Sequence, residues 1–182
     1  MMATTHAAAG LSLATALVVV APEFATVAAI AALVGGVFPD VDLFVGTHRK
    51  SLHFPVYYTV AGLLVGAFAL AFPGPLLVAV AFFFLSAGVH SITDWFGAGD
   101  ELRPWNRTSP RAVYVHPLRR WLRPKYIVRY DGAPEDLALT LLLFVPGFLA
   151  FDGAIRVFVA VGVAIALFYT GFRKRMPEWF GI

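Results

Sequence analysis

Seven side chains of the types that bind metal ions are concentrated in three short stretches of the sequence. They are His6, Asp40, Asp42, His48, His53, His90 and Asp94. Carboxylate oxygens combined with imidazole nitrogens, in a chain without cysteine, indicate zinc, with manganese and iron as alternatives. Because one catalytic metal uses about three protein ligands, seven candidates are enough for one or two divalent ions. Such an ion would activate a water molecule for hydrolysis.

The spacing of these residues predicts how the chain brings them together. His90 and Asp94 are four positions apart, so on a helix they project from one face. Pro39 is expected to push Phe38 toward extended backbone and to end a helix there, so that the two aspartates after it can turn the same way. The histidines of HRKSLH are five apart and do not share a helical face. We expect Ser51 to cap the next helix and to leave both rings free to point inward.

Catalytic roles are predicted for Asp94, His90 and Arg49, the last as a clamp for a substrate phosphate. Each candidate also has a plainer explanation. Arg49 could simply follow the positive-inside rule, and His48 could belong to the same basic cluster. His6 could be an interfacial residue, and the remaining acids and histidines could end helices or form ordinary buried hydrogen bonds.

The rest of the chain is mostly apolar. Its mean hydropathy is +0.77, and only 14% of its residues are charged, against about 25% in soluble domains. Apolar runs predict membrane helices near residues 6–22, 24–39, 54–72, 75–96, 137–151 and 154–172. Because the first charge of either sign is Glu23, the N-terminal run lacks the basic start of a signal peptide. The predicted fold is all-α: an integral membrane helical bundle of about six transmembrane helices, forming one domain over residues 1–182.

Basic residues predict the orientation of this bundle. The loop 97–136 carries eight Lys or Arg between Leu102 and Tyr130 and no acid there, and further basic clusters lie at 48–50 and 173–175. Positive residues mark the cytoplasmic side, so both termini are expected in the cytoplasm. All seven candidate ligands then fall at one membrane depth. We expect the basic loop to contact anionic lipid headgroups and no nucleic acid.

Four ordered pieces of the sequence resemble a known family. They are His6, PDVD (39–42), HRKSLH (48–53) and HSITDWFGAG (90–99). Together they resemble the YdjM-like family of membrane-bound metal-dependent hydrolases over roughly the first hundred residues. That family has a distant likeness to zinc-dependent phospholipase C, which implies phosphoester hydrolysis. The chain departs from the family at Leu52 and Phe54, where members often carry hydroxyl residues around the second histidine.

These observations predict a multi-pass protein of the cell membrane. Its expected function is hydrolysis of a phosphoester or lipid-like substrate by metal-activated water at the cytoplasmic membrane face. Two other classes stay open: an ion or metal transporter, and a non-enzymatic membrane scaffold with a structural metal site. The sequence gives no indication of an oligomeric state.

Overall fold

The structure is a computed structural model that describes residues 1–179, and it is almost entirely helical. The α-helices are α1 (Ala3–Thr15), α2 (Leu17–Val20), α3 (Pro22–Val37), α4 (Pro55–Ala71), α5 (Pro75–Thr93), α6 (Pro134–Ala150), α7 (Gly153–Phe172) and α8 (Met176–Trp179). Short 3-10 helices cover Phe38–Leu43, Asp94–Phe96, Pro104–Asn106 and His116–Leu118. An antiparallel hairpin pairs β1 (Tyr114–Val115) with β2 (Arg120–Trp121). The predicted helical bundle is confirmed.

Within residues 1–179, four segments are long and apolar enough to cross a membrane: Ala3–Val20, Pro22–Leu43, Pro75–Phe96 and Gly153–Phe172. Helix α4 is also apolar but has 17 residues, about 25 Å of helix. Proline occupies the first position of α3, α4, α5 and α6, where its missing N–H leaves no intrahelical bond unmade. The chain therefore has the features expected of a membrane protein.

Helix α1 lies at the centre of the bundle and packs against α3, α5 and α6, while α4 packs on α5 and α7 on α6. Small side chains permit this close packing. A Cβ added at Gly36 would lie 2.7 Å from the carbonyl oxygen of His6, and one added at Gly35 would lie 2.2 Å from that of Phe83. Glycine at these two positions therefore lets α3 approach α1 and α5 at the end where the candidate ligands lie.

Two local predictions are wrong. Phe38 keeps right-handed helical angles (φ −54°, ψ −42°), because the chain tightens from α-helix into a 3-10 helix at Phe38 instead of becoming extended. Ser51 does not cap α4, which begins at Pro55 without a side-chain cap. The Ser51 hydroxyl instead accepts a hydrogen bond from the Thr47 amide at 2.8 Å, closing the turn that carries His48.

The basic segment between α5 and α6 folds back onto the end of the bundle. The amides of Tyr126 and Val128 donate to the carbonyls of Gly97 and Phe96, each at 3.1 Å. The Tyr114 amide of the hairpin donates to the carbonyl of Arg49 at 3.0 Å. Because α6 begins at Pro134, this segment covers residues 97–133. It forms an ordered cap over the turn that contains Arg49.

Candidate metal centre

Four potential ligand atoms converge at one end of the bundle. They belong to Asp40, His53, His90 and Asp94 and all lie within 4.8 Å of one another. His53 Nε2 is 3.2 Å from Asp94 Oδ2 and 3.8 Å from Asp40 Oδ1. His90 Nε2 is 3.4 Å from the same Asp40 oxygen and 3.5 Å from the same Asp94 oxygen. This four-residue group, buried except for partial exposure of Asp40, could hold a metal ion.

Hydrogen bonds fix which nitrogen of each ring faces the group. His53 Nδ1 lies 2.9 Å from Asp42 Oδ2, and His90 Nδ1 lies 2.7 Å from the carbonyl oxygen of Gly36. A carbonyl and a carboxylate only accept, so in both neutral rings the proton is on Nδ1 and the lone pair is on Nε2. Neither Nε2 has a hydrogen-bond partner among the described residues, although both are buried. Two lone pairs therefore face two carboxylates, which a cation between them would satisfy.

The separations of these atoms fit a metal ion. Zinc binds imidazole nitrogen and carboxylate oxygen at about 2.0–2.2 Å, which places ligand atoms of a regular tetrahedron about 3.3–3.6 Å apart. The four N···O separations in the group run from 3.2 to 3.8 Å. The donor set and its spacing therefore suit a divalent ion with mixed nitrogen and oxygen ligands.

Asp42 lies behind this group and links two histidines. Its fully buried carboxylate accepts from His48 Nδ1 through Oδ1 and from His53 Nδ1 through Oδ2, both at 2.9 Å, and it also accepts from the Leu52 amide at 3.2 Å. Asp42, His48 and His53 form a second group with ligand atoms close enough for a metal ion. Because both Asp42 oxygens already hold a ring in place, this arrangement matches the carboxylate–histidine pairs that orient metal ligands.

Asp94 is contacted from three further directions. His6 Nε2 lies 3.1 Å from Asp94 Oδ1, and the His6 ring stacks on His90 with centroids 3.7 Å apart. The Met1 amine lies 2.9 Å from the same oxygen, and Arg49 Nε lies 3.6 Å from Asp94 Oδ2. His6 was predicted as a ligand, but both ring nitrogens have contacts at 3.1 Å, Nε2 with Asp94 Oδ1 and Nδ1 with Thr93 Oγ1, and His6 belongs to neither group of candidate ligands among the described residues. Its position is that of a neighbour which orients Asp94.

A cavity of about 340 Å³ adjoins the group. Asp40, His48, Arg49 and Asp94 contribute to its wall, so two of the four candidate ligands border open space. Arg49 is buried, donates from Nη1 to the carbonyl of Ala98, and has no hydrogen-bond partner at Nε. The group therefore has a neighbouring space in which a small substrate or water could lie, with a guanidinium on its wall.

One buried polar cluster and one partly buried ion pair beside the site were not predicted from the sequence. Asp136 accepts from the Met2 amide at 2.8 Å and from the Thr5 hydroxyl at 2.6 Å, which joins the starts of α1 and α6. Arg173 donates to both carboxylate oxygens of Asp131 at 2.7 and 3.2 Å. An acid in the first turn of a helix is a recognisable signal for Asp136, whereas no local pattern pairs positions 131 and 173.

Comparison of the chain with protein-family models, with curated proteins and with solved structures finds no match. The resemblance to the YdjM-like family therefore stays a prediction, and the geometry of the site carries the functional argument.

We predict that Asp42→Asn weakens metal binding without removing a member of the four-residue group. Asparagine can no longer accept through two oxygens, so either His48 or His53 loses its acceptor. Loss of such an orienting carboxylate lowers metal affinity roughly 10–100-fold. Titration of purified protein with zinc against a competing chelator measures the change. Asp152→Asn is the matched control, because Asp152 is exposed and pairs with Arg156 away from the cavity, and equal affinities in both variants would contradict an orienting role.

Proposed function

We propose that this protein is a membrane-bound, metal-dependent hydrolase that acts on a phosphoester or lipid-like substrate at the cytoplasmic membrane face. One observation carries the proposal. The Nε2 atoms of His53 and His90 have no hydrogen-bond partner among the described residues and face the carboxylates of Asp94 and Asp40. This group lies beside a cavity that Arg49 lines. A divalent ion bound there would supply a water ionised near neutral pH as the nucleophile. No serine or cysteine nucleophile is then required.

The surrounding residues have distinct roles in this proposal. Asp40, His53, His90 and Asp94 hold the ion, and Asp42 fixes the His53 ring through its Nδ1 proton. Zinc is the preferred ion because its usual ligands are imidazole and carboxylate. One ion is favoured over two, since the second group is already joined by hydrogen bonds through Asp42.

Arg49 is the candidate for binding the phosphoryl oxygens. Its Nη1 donates to the carbonyl of Ala98, which holds the side chain in place, while its Nε lies 3.6 Å from Asp94 Oδ2 without a hydrogen bond. A buried guanidinium beside a cavity provides both charge and a directed donor for an oxyanion. In the reaction a water oxygen bonds to phosphorus, the ester oxygen leaves as an alcohol, and the water protons are shared between the two products.

The proposed orientation has six membrane helices with both termini in the cytoplasm. The basic residues of the segment 97–133 lie at the site end of the bundle, which the positive-inside rule assigns to the cytoplasm. Exposed Arg119, Arg120 and Arg123 are available there to contact anionic lipid headgroups. The site would then lie at the depth of the headgroups in the cell membrane.

A structural metal site in a non-enzymatic scaffold is the second candidate. Four protein ligands with no open position are typical of structural zinc sites, and the group has four members. The cavity beside Asp40 and Asp94 favours catalysis, because a structural ion needs no adjoining open space. A transport function is disfavoured: in the helices α1 and α3 to α7, the charged residues and histidines other than Glu23 and Arg156 lie at the site end.

The test is hydrolysis of bis(para-nitrophenyl) phosphate by detergent-purified protein. We expect release of para-nitrophenol that a chelator abolishes and added zinc restores. Asp94→Asn should lose this activity, whereas Asp152→Asn should keep it, since Asp152 is exposed beside Arg156 at the opposite end of α7. A metal that binds stoichiometrically without any zinc-dependent release of para-nitrophenol would favour the structural alternative.

A further inference from the structure

The cavity beside the metal centre extends along α7 into the membrane-spanning part of the bundle. Its wall includes Ile165, Tyr169 and Arg173, which are spaced four residues apart and so form one stripe of the helix. Eight residues of α-helix correspond to about 12 Å. Over this length the stripe changes from charged to apolar, since it begins at Arg173, which pairs with Asp131, and ends at Ile165. The cavity therefore has a polar end near Arg49 and an apolar end deeper in the helix.

The apolar end of the cavity reaches the outer surface of the bundle. Ile165 and Leu43 both line the cavity, and they are 53% and 59% exposed. Both belong to segments long and apolar enough to cross a membrane, Gly153–Phe172 and Pro22–Leu43. Helix α7 packs mainly on α6 and α1. In a membrane this opening would face lipid.

The polar end carries two buried atoms without hydrogen-bond partners among the described residues, Thr4 Oγ1 and Glu101 Oε2, and a third, Arg49 Nε, whose nearest acid is Asp94 at 3.6 Å. All three residues line this cavity. Thr4 and Arg49 can donate to an oxyanion, and the Glu101 carboxylate oxygen can accept from a hydroxyl group. Buried polar groups normally have partners, so these atoms favour a polar ligand or water at this end of the cavity.

We propose that the cavity binds an amphiphilic phosphoester that enters sideways from the bilayer. Its phosphoryl oxygens contact Arg49 and Thr4 at the metal centre, and its alkyl chain leaves between Leu43 and Ile165 into the lipid. The cavity, at about 340 Å³, is near the small end of the range for ligand pockets, so it holds a headgroup while a long chain extends outward. This substrate class rests on the proposed hydrolase function.

The experiment compares methyl and octyl para-nitrophenyl phosphate, which share one scissile bond and differ only in chain length. We expect kcat/KM to be at least tenfold higher for the octyl ester. Ile165→Trp, which fills the chain outlet, should lower the octyl-to-methyl ratio at least fivefold. Leu167→Trp is the matched control, because Leu167 is 52% exposed on the same helix and does not line the cavity. Partition of the octyl ester into detergent affects both variants equally.

A non-hydrolysable octyl phosphonate carrying a chain-borne diazirine gives a second readout. We expect it to label α7 in the parent protein and in Leu167→Trp but not in Ile165→Trp. Hydrolysis of both esters with equal ratios in the two variants would overturn the sideways binding and leave the hydrolase function standing. Absence of all hydrolysis with labelling that depends on Ile165 would instead remove the hydrolase function and keep the amphiphile site. Absence of hydrolysis together with absence of Ile165-dependent labelling would overturn the hydrolase function and the amphiphile site.

Discussion

Asp94→Asn and His90→Gln are expected to abolish stoichiometric binding of a divalent metal by the purified protein. Each substitution removes one of the four ligand atoms that converge within 4.8 Å. Loss of an orienting group alone lowers metal affinity roughly 10–100-fold, so loss of a direct ligand should lower it about 100-fold or more. Metal analysis by mass spectrometry after purification without chelator should give one equivalent in the parent protein and almost none in either variant.

The matched control for this experiment is His116→Gln. His116 lies in the cap, where its ring packs 4.4 Å from that of Phe54, and it belongs to neither group of candidate ligands. It should keep the full equivalent of metal. Equal metal content in all three variants and the parent would contradict the assignment of the site.

Thermal unfolding supplies a second readout of the same prediction. A ligand that binds only the folded state at 100 times its dissociation constant stabilises it by about 2.7 kcal/mol. Zinc should therefore raise the unfolding temperature of the parent protein and of His116→Gln, but not of Asp94→Asn. A rise in Asp94→Asn equal to that of the parent would mean that zinc binds elsewhere.

The membrane character of the chain and the clustering of its polar residues could be predicted from the sequence. Apolar runs and basic loops place His6, the PDVD stretch, HRKSLH and His90 at the same ends of alternating helices. In the structure His6, His53 and His90 do surround Asp94. This part succeeded because helix direction and side-chain spacing depend on local sequence alone.

The role of each candidate could not be predicted in the same way. Asp40 and Asp42 both follow Pro39, yet only Asp40 faces the four-residue group, because a 3-10 helix turns them in different directions. The Nε2 atom of His90 faces the group because the Gly36 carbonyl engages its Nδ1. That bond depends on a close helix approach between residues 54 positions apart. Tertiary packing of this kind leaves no local pattern in the sequence.

The folded structure of the cap, residues 97–133, also could not be predicted from local sequence. The basic residues of the segment 97–133 predict a cytoplasmic loop, but their charge does not reveal that Lys125 lies over the Trp95 ring or that the hairpin pairs with Arg49. Strands β1 and β2 have only two residues each, which is too short for a recognisable alternation of apolar and polar residues. The cap also holds Arg49, whose Nη1 donates to the Ala98 carbonyl while its Nε lies 3.6 Å from Asp94 Oδ2.

Arg49→Lys is expected to lower kcat for bis(para-nitrophenyl) phosphate about 100-fold while metal content stays unchanged. Removing one directed donor to a developing oxyanion typically costs 10²–10³ in kcat. Lysine keeps the charge but has a single terminal ammonium, so it cannot bind the Ala98 carbonyl through Nη1 and also present an N–H at the Nε position. A selective loss of kcat would identify Arg49 as a donor that acts in the transition state.

Backbone strain has to be separated from this effect, because Arg49 has a positive φ of 60°. Arg119 has a similar φ of 51° and is exposed in the cap, away from the cavity, so Arg119→Lys is the matched control. It should retain parental kcat and KM. If Arg49→Lys also retained parental kcat, the residue would act only as a tether between the cap and the bundle. A rise in KM at constant kcat would limit Arg49 to ground-state binding of the substrate anion.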